Sequence, residues 1–199
     1  MIEASPYPWP YDGLPAPNRM ALVLVAPQAA YAWMDPTGRV RAACLDLQRA
    51  AKSAGLLVCG VRACRTAATP ARMVSVPAAG TPGWGLLPGF EPEGWDLLVD
   101  APCLDGFFCT GLDSSLWSQK ARHLVFAGFG TETAVHSTLR SANDRGYECL
   151  VLEDACAGME SGLHAEAMSM IAMSGGIFGA YTSSSLFLKA LSTRYESER

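Results

Sequence analysis

The chain has 199 residues, of which 50% are hydrophobic and 17% charged, with a net charge of −4. This is enough apolar matter for one sizeable core, and it excludes global disorder. No Lys/Arg run exceeds two residues and no apolar stretch reaches bilayer length, so neither nucleic acid nor a membrane is expected as a partner.

Residues 1–20 hold five of the thirteen prolines, with aromatics between them (Pro6-Tyr7-Pro8-Trp9-Pro10-Tyr11), and read as an extended arm lying on the body or on a neighbouring subunit. From residue 21 to 199 the sequence reads as a single α/β domain. Ala21 to Ala26 is a continuous apolar run stopped by Pro27, as expected of a strand buried on both faces. A helix is expected over 40–54, closed by Gly55, then a strand over 56–61. Residues 66–94, rich in Pro, Gly, Ala and Thr, read as a loop of a length that is usually functional or mobile. Strands over 95–100, 123–128, 148–153 and 177–181 follow, with helices over 112–120, 132–145, 161–173 and from Ser183 or Ser184 to about 194. This alternation predicts a three-layer, doubly wound sheet of six parallel strands, with ligands bound beyond the strands' carboxyl ends.

The N-terminus has neither a basic segment nor an apolar one, so no signal peptide is expected and the chain is read as cytoplasmic. The seven cysteines contain no CxxC pair and read as reduced thiols. The interval 66–95 has no His or Cys, and its only acids are Glu91 and Glu93, so no metal is expected there, and no cofactor elsewhere. Gly128-Phe129-Gly130 begins like a dinucleotide fingerprint, but Thr133 stands where the third glycine would be.

The strand ends carry a resemblance. Ala21 to Gln28, Val99-Asp100-Ala101-Pro102 with Gly106-Phe107-Phe108, and Gly128-Phe129-Gly130-Thr131-Glu132-Thr133-Ala134 resemble the isochorismatase-like cysteine hydrolases, with a Rossmann-like sheet. Pro6 to Gly13, Ala142 to Leu150 and Met173 to Gly179 look closest to the biuret and ureidoacrylate amidohydrolase branch. The resemblance implies an Asp base, a Lys and a nucleophilic Cys, yet those three positions read Ala26, Ala101 and Ala134. A methyl group neither moves a proton nor attacks a carbonyl. No lysine stands in for the missing one: Lys52, Lys120 and Lys189 all fall in or at the end of predicted helices.

The resulting expectation is a catalytically degenerate relative that serves as a subunit of a homo-oligomer, or of a hetero-oligomer with an active paralogue, or that binds a small amide or ureido compound. Gln28, Phe129, Gly130, Thr131, Thr133 and His136 are the expected pocket residues. The alternative is an active amidohydrolase with a relocated thiol at Cys103, Cys109 or Cys64, all of which follow strand ends. The 66–94 segment is shorter than is usual in the family, so it is expected to leave the site poorly enclosed.

Overall fold

In the computed structural model, which describes residues 1–13, 15–73 and 75–197, the apolar runs form six strands. These are β1 (Met20–Val25), β2 (Leu57–Ala63), β3 (Leu97–Ala101), β4 (His123–Phe129), β5 (Glu148–Ala157) and β6 (Ala180–Thr182), in spatial order β3-β2-β1-β4-β5-β6. Every pairing is parallel. All six residues of β1 are buried, because helices cover both faces of a parallel sheet. The helices are α1 (Arg39–Ser53), α2 (Leu112–Ser118), α3 (His136–Asp144), α4 (Ser161–Gly176) and α5 (Ser184–Ser197). α1 and α5 pack together against one face. Right-handed crossovers put α2, α3 and α4 on the other. Among the described residues, no helix is long and apolar enough to cross a membrane.

Three local features differ from the sequence expectation. β6 is only three residues and begins at Ala180 rather than 177, because Met173, Ser174 and Gly175 leave helical geometry and the chain turns before it reaches the sheet. β5 runs on to Ala157 past a bulge, with Phe126 opposite Val151 but Gly128 opposite Cys156. The helix expected from 132 opens with a wide turn, Thr131–Val135, hydrogen-bonded in the π pattern, before α3 begins.

The proline-rich arm closes the β6 edge. Ser5 exchanges both backbone hydrogen bonds with Tyr181 (2.9 and 2.8 Å), and the Thr182 hydroxyl donates to the Glu3 carbonyl (2.6 Å). Trp9 is fully buried beneath this strap. The arm thus supplies partners to an edge that would otherwise be open to pairing with another chain.

Candidate functional site

The strand order reverses between β1 and β4, which carry connections to opposite sides of the sheet. In such folds the crevice lies beyond the carboxyl ends of those two strands. A cavity of about 520 Å³ opens there. Its floor is Ala26 after β1, Ala63 at the end of β2, Phe129 at the end of β4, and Gly130, Thr133 and Ala134 in the turn that follows.

The backbone is unusual at two of these floor positions, Ala26 and Gly130. Ala26 has φ 50, the left-handed region that a Cβ-bearing residue enters at a cost and that Asn and Asp tolerate best. It is held there because its N–H donates to the Val61 carbonyl (2.7 Å) while its own carbonyl accepts from Gln28 N–H (2.7 Å). Gly130 has φ 78 and starts the helical turn, and its carbonyl accepts from the amides of Thr133 (3.0 Å) and Val135 (2.9 Å). The positive end of the Thr131–Asp144 helical segment therefore faces the cavity.

The remaining wall comes from two segments. The short helix Ala29–Met34 contributes Ala30, Tyr31, Trp33 and Met34. The 66–94 loop contributes Arg72, Met73, Ser75 and Val76, so despite its brevity it does form a wall. It is pinned at several points: Leu87 N–H donates to the Pro27 carbonyl (2.9 Å), Arg65 N–H to the Pro77 carbonyl (2.7 Å), and the Thr69 hydroxyl to the Pro102 carbonyl (2.6 Å). Leu104 and Met159 complete the lining. Arg72 is exposed at the rim and has no ion-pair partner among the described residues. Among the described lining residues there is no Cys, His, Lys, Asp or Glu.

The residues singled out by the sequence divide into two groups. Ala26, Ala134, Phe129, Gly130 and Thr133 meet at the cavity. Gln28 does not reach it. Its buried amide donates to the carbonyls of Ala63 (3.0 Å) and Trp84 (3.0 Å) and accepts from Ala63 N–H (2.7 Å), so it brackets the loop to β2. Thr131 is enclosed and hydrogen-bonded to His164 Nδ1 (2.9 Å). His136 is buried on α3 away from the cavity wall, its Nε2 without a hydrogen-bond partner. Burial, and then the Arg140 charge, lower its pKa. Ala101 is fully buried and takes no part in the lining, and its carbonyl accepts from Cys64 N–H (2.8 Å). Sequence reasoning missed Arg72, Trp33 and Met159, since nothing in their local pattern marks them.

None of the three candidate thiols is among the residues that line the cavity, although Ala63 and Leu104, next in the chain to Cys64 and Cys103, are. Cys64 is buried beside Trp84, and burial followed by the Asp100 charge pushes its pKa up, the opposite of what a nucleophile needs. Asp100 is itself engaged, accepting from Arg62 Nε (2.7 Å) and Nη2 (3.0 Å), with the guanidinium stacked on Trp84. Cys103 is half-buried and Cys109 is exposed in the loop after β3. Burial drives Cys59 and Cys156 to about 12 and raises Cys44 and Cys149 as well. Under native conditions at neutral pH, a maleimide is therefore expected to label Cys109 first and Cys103 second. Cys44, Cys59, Cys149 and Cys156 should stay unmodified until the protein unfolds, as peptide mass spectrometry would show.

Comparison with known proteins agrees with this fold. Over 76 residues the chain is 40% identical to the ureidoacrylate amidohydrolase RutB of Acinetobacter baylyi, covering 37% of this chain and 31% of that one. Over 75 residues it is 44% identical to the RutB of Klebsiella pneumoniae, covering 37% and 32%. The matched stretch thus spans about a third of the length of these curated relatives. The fold superposes on a cysteine hydrolase from Pseudomonas syringae with a TM-score of 0.80 at 22% identity, over 89% of this chain and 94% of that one. It also superposes on the nicotinamidase PncA of Bacillus subtilis with a TM-score of 0.74 at 19% identity, over 83% and 99%. The isochorismatase domain model matches residues 20–183, all six strands included, and the chain belongs to the isochorismatase family.

Proposed function

We propose that this chain is a non-catalytic member of its family that holds a small molecule in the cavity between β1 and β4. One observation carries the reading. The cavity has the volume of a ligand site, yet among its described lining residues the only ionisable side chains are Arg72 and Tyr31. Neither serves as a nucleophile or a general base at neutral pH. Methyl groups occupy the places where the resemblance implies an Asp and a Cys, Ala26 and Ala134. The left-handed backbone at Ala26 supports the same history, being a conformation better suited to Asp than to Ala. The reading is favoured over a relocated thiol because Cys64, Cys103 and Cys109 are not among the described lining residues.

The same reading includes assembly, either of copies of this chain or with an active paralogue. α4 is rich in Ala and Met, and Met170, Met173 and Ile177 are exposed on or just after it. Large apolar side chains grouped in water are the surface expected of a subunit contact.

The test is calorimetric titration with a panel of small amides, ureido compounds and their carboxylate analogues, run beside a turnover assay on the same panel. At least one compound is expected to bind with no product formed, and Thr133→Trp, which fills the cavity, is expected to abolish that binding. Turnover lost on alkylation of Cys103 or Cys109 would replace this reading with the relocated-thiol one.

A further inference from the structure

We propose that Asp12, His123 and Glu148 form a binding site for a divalent transition-metal ion, zinc by its donor set, at the end of the sheet opposite the cavity. The three residues lie far apart in sequence and are brought together by two devices. His123 and Glu148 are the first residues of β4 and β5 and stand directly opposite each other in the parallel register, which places their side chains on the same face. The N-terminal arm delivers Asp12, held by the hydrogen bond that Tyr11 N–H donates to Glu148 Oε1. The fully buried Trp9 packs edge-on against the imidazole, 5.8 Å between ring centroids, and fixes its plane.

The distances fit a metal better than a hydrogen bond. His123 Nε2 lies 3.5 Å from Asp12 Oδ1 and 3.3 Å from Glu148 Oε2. A charge-assisted N–H···O bond would be about 2.7–2.9 Å. Two ligands on a tetrahedral zinc with bonds of about 2.0–2.1 Å stand about 3.3 Å apart. One ligand atom from each of the three residues lies within 4.8 Å of the others. The charge balance points the same way. Two carboxylates face a single imidazole, and among the described residues no Lys or Arg is paired with either. One nitrogen and two oxygens suit zinc, cobalt or nickel, and the fourth position opens to solvent on the side of Asp12, whose side chain is 75% exposed. His123 Nδ1 is buried without a hydrogen-bond partner, so the ring lacks the outer support that strengthens a metal ligand. Lack of that support weakens metal binding about 10–100-fold. The site lies away from the cavity lining, so its role is to fasten the arm to the sheet.

The test is thermal unfolding of the whole protein, stripped with a chelator and titrated with zinc chloride. Zinc at a hundredfold excess over its Kd is expected to raise Tm by about 5–10 °C. Asp12→Asn, at an exposed position that leaves packing intact, and His123→Gln are each expected to remove that rise. Cobalt substitution is expected to give visible d–d bands with no sulfur-to-metal charge-transfer band. A Tm unmoved by millimolar zinc, a rise undiminished in both variants, or a sulfur charge-transfer band placing the metal on the cysteines would each overturn the proposal.

Discussion

Replacing Gly128 by alanine is expected to cost more than about 4 kcal/mol and to leave little folded protein at 37 °C. Gly128 sits near the end of β4, opposite Val25 of β1, with φ 134, a region open to glycine and strained for any L residue. A Cβ there would lie 2.1 Å from the Val25 carbonyl oxygen and 2.8 Å from the Val25 nitrogen. Both are main-chain atoms of the central strand, so no side-chain rotation relieves the clash. The β1–β4 pair would have to separate where the sheet's topology reverses and where Ala26 and Phe129 frame the cavity. Circular dichroism and a denaturant titration measure the effect. A variant within about 1 kcal/mol of the parent would show that the two strands can part at little cost. Gly55→Ala is the control, since a Cβ there meets nothing within 4 Å and only the φ of 80 is strained.

The second large effect concerns restoration of the family's chemistry. The triple variant Ala26→Asp, Ala101→Lys, Ala134→Cys is expected to show no robust turnover of amide or ureido substrates. The short 66–94 loop is not the reason, because Arg72, Met73, Ser75 and Val76 do wall the cavity. The obstacle is Ala101, which is fully buried and outside the lining, with its carbonyl held by Cys64 N–H. A lysine placed there would have to force its chain through packed atoms and desolvate its ammonium, at a cost of at least about 3 kcal/mol. Ala26→Asp/Ala134→Cys separates misfolding from missing chemistry. Both positions line the cavity, so this double variant is expected to fold, to gain a thiol that iodoacetamide modifies, and still to lack turnover for want of the cation. Strong activity from the triple variant would show that the scaffold has kept the catalytic geometry and lost only three side chains.

The sequence announces its strands plainly, for a physical reason. A strand covered on both faces must be apolar at every position, so Ala21-Leu22-Val23-Leu24-Val25 could be read without any neighbour in view. The weaker elements depend on contacts. β6 has three residues and owes its position to backbone bonds with β5 on one side and Ser5 on the other. The bulge that lengthens β5 is set by register against β4, which local composition does not encode. The floor of the candidate site was similarly legible at Ala26, Phe129, Gly130, Thr133 and Ala134, because it follows strand ends that the sequence marks. Its walls were not, since Arg72 and Trp33 arrive on segments whose path is fixed by hydrogen bonds elsewhere.

By itself, then, the sequence determined the parallel α/β fold and the family resemblance, since both rest on local apolar runs and on short motifs at strand ends. It also determined that Ala26, Ala101 and Ala134 carry only methyl groups. Tertiary structure alone decided that Ala26 and Ala134 face a cavity while Ala101 is sealed in the core, and that Gln28 braces a loop instead of lining the site. It alone brought Asp12 to His123 and Glu148. The reason in each case is that side-chain placement depends on which distant backbone groups meet, and those meetings are set by sheet order, register and the path of the arm.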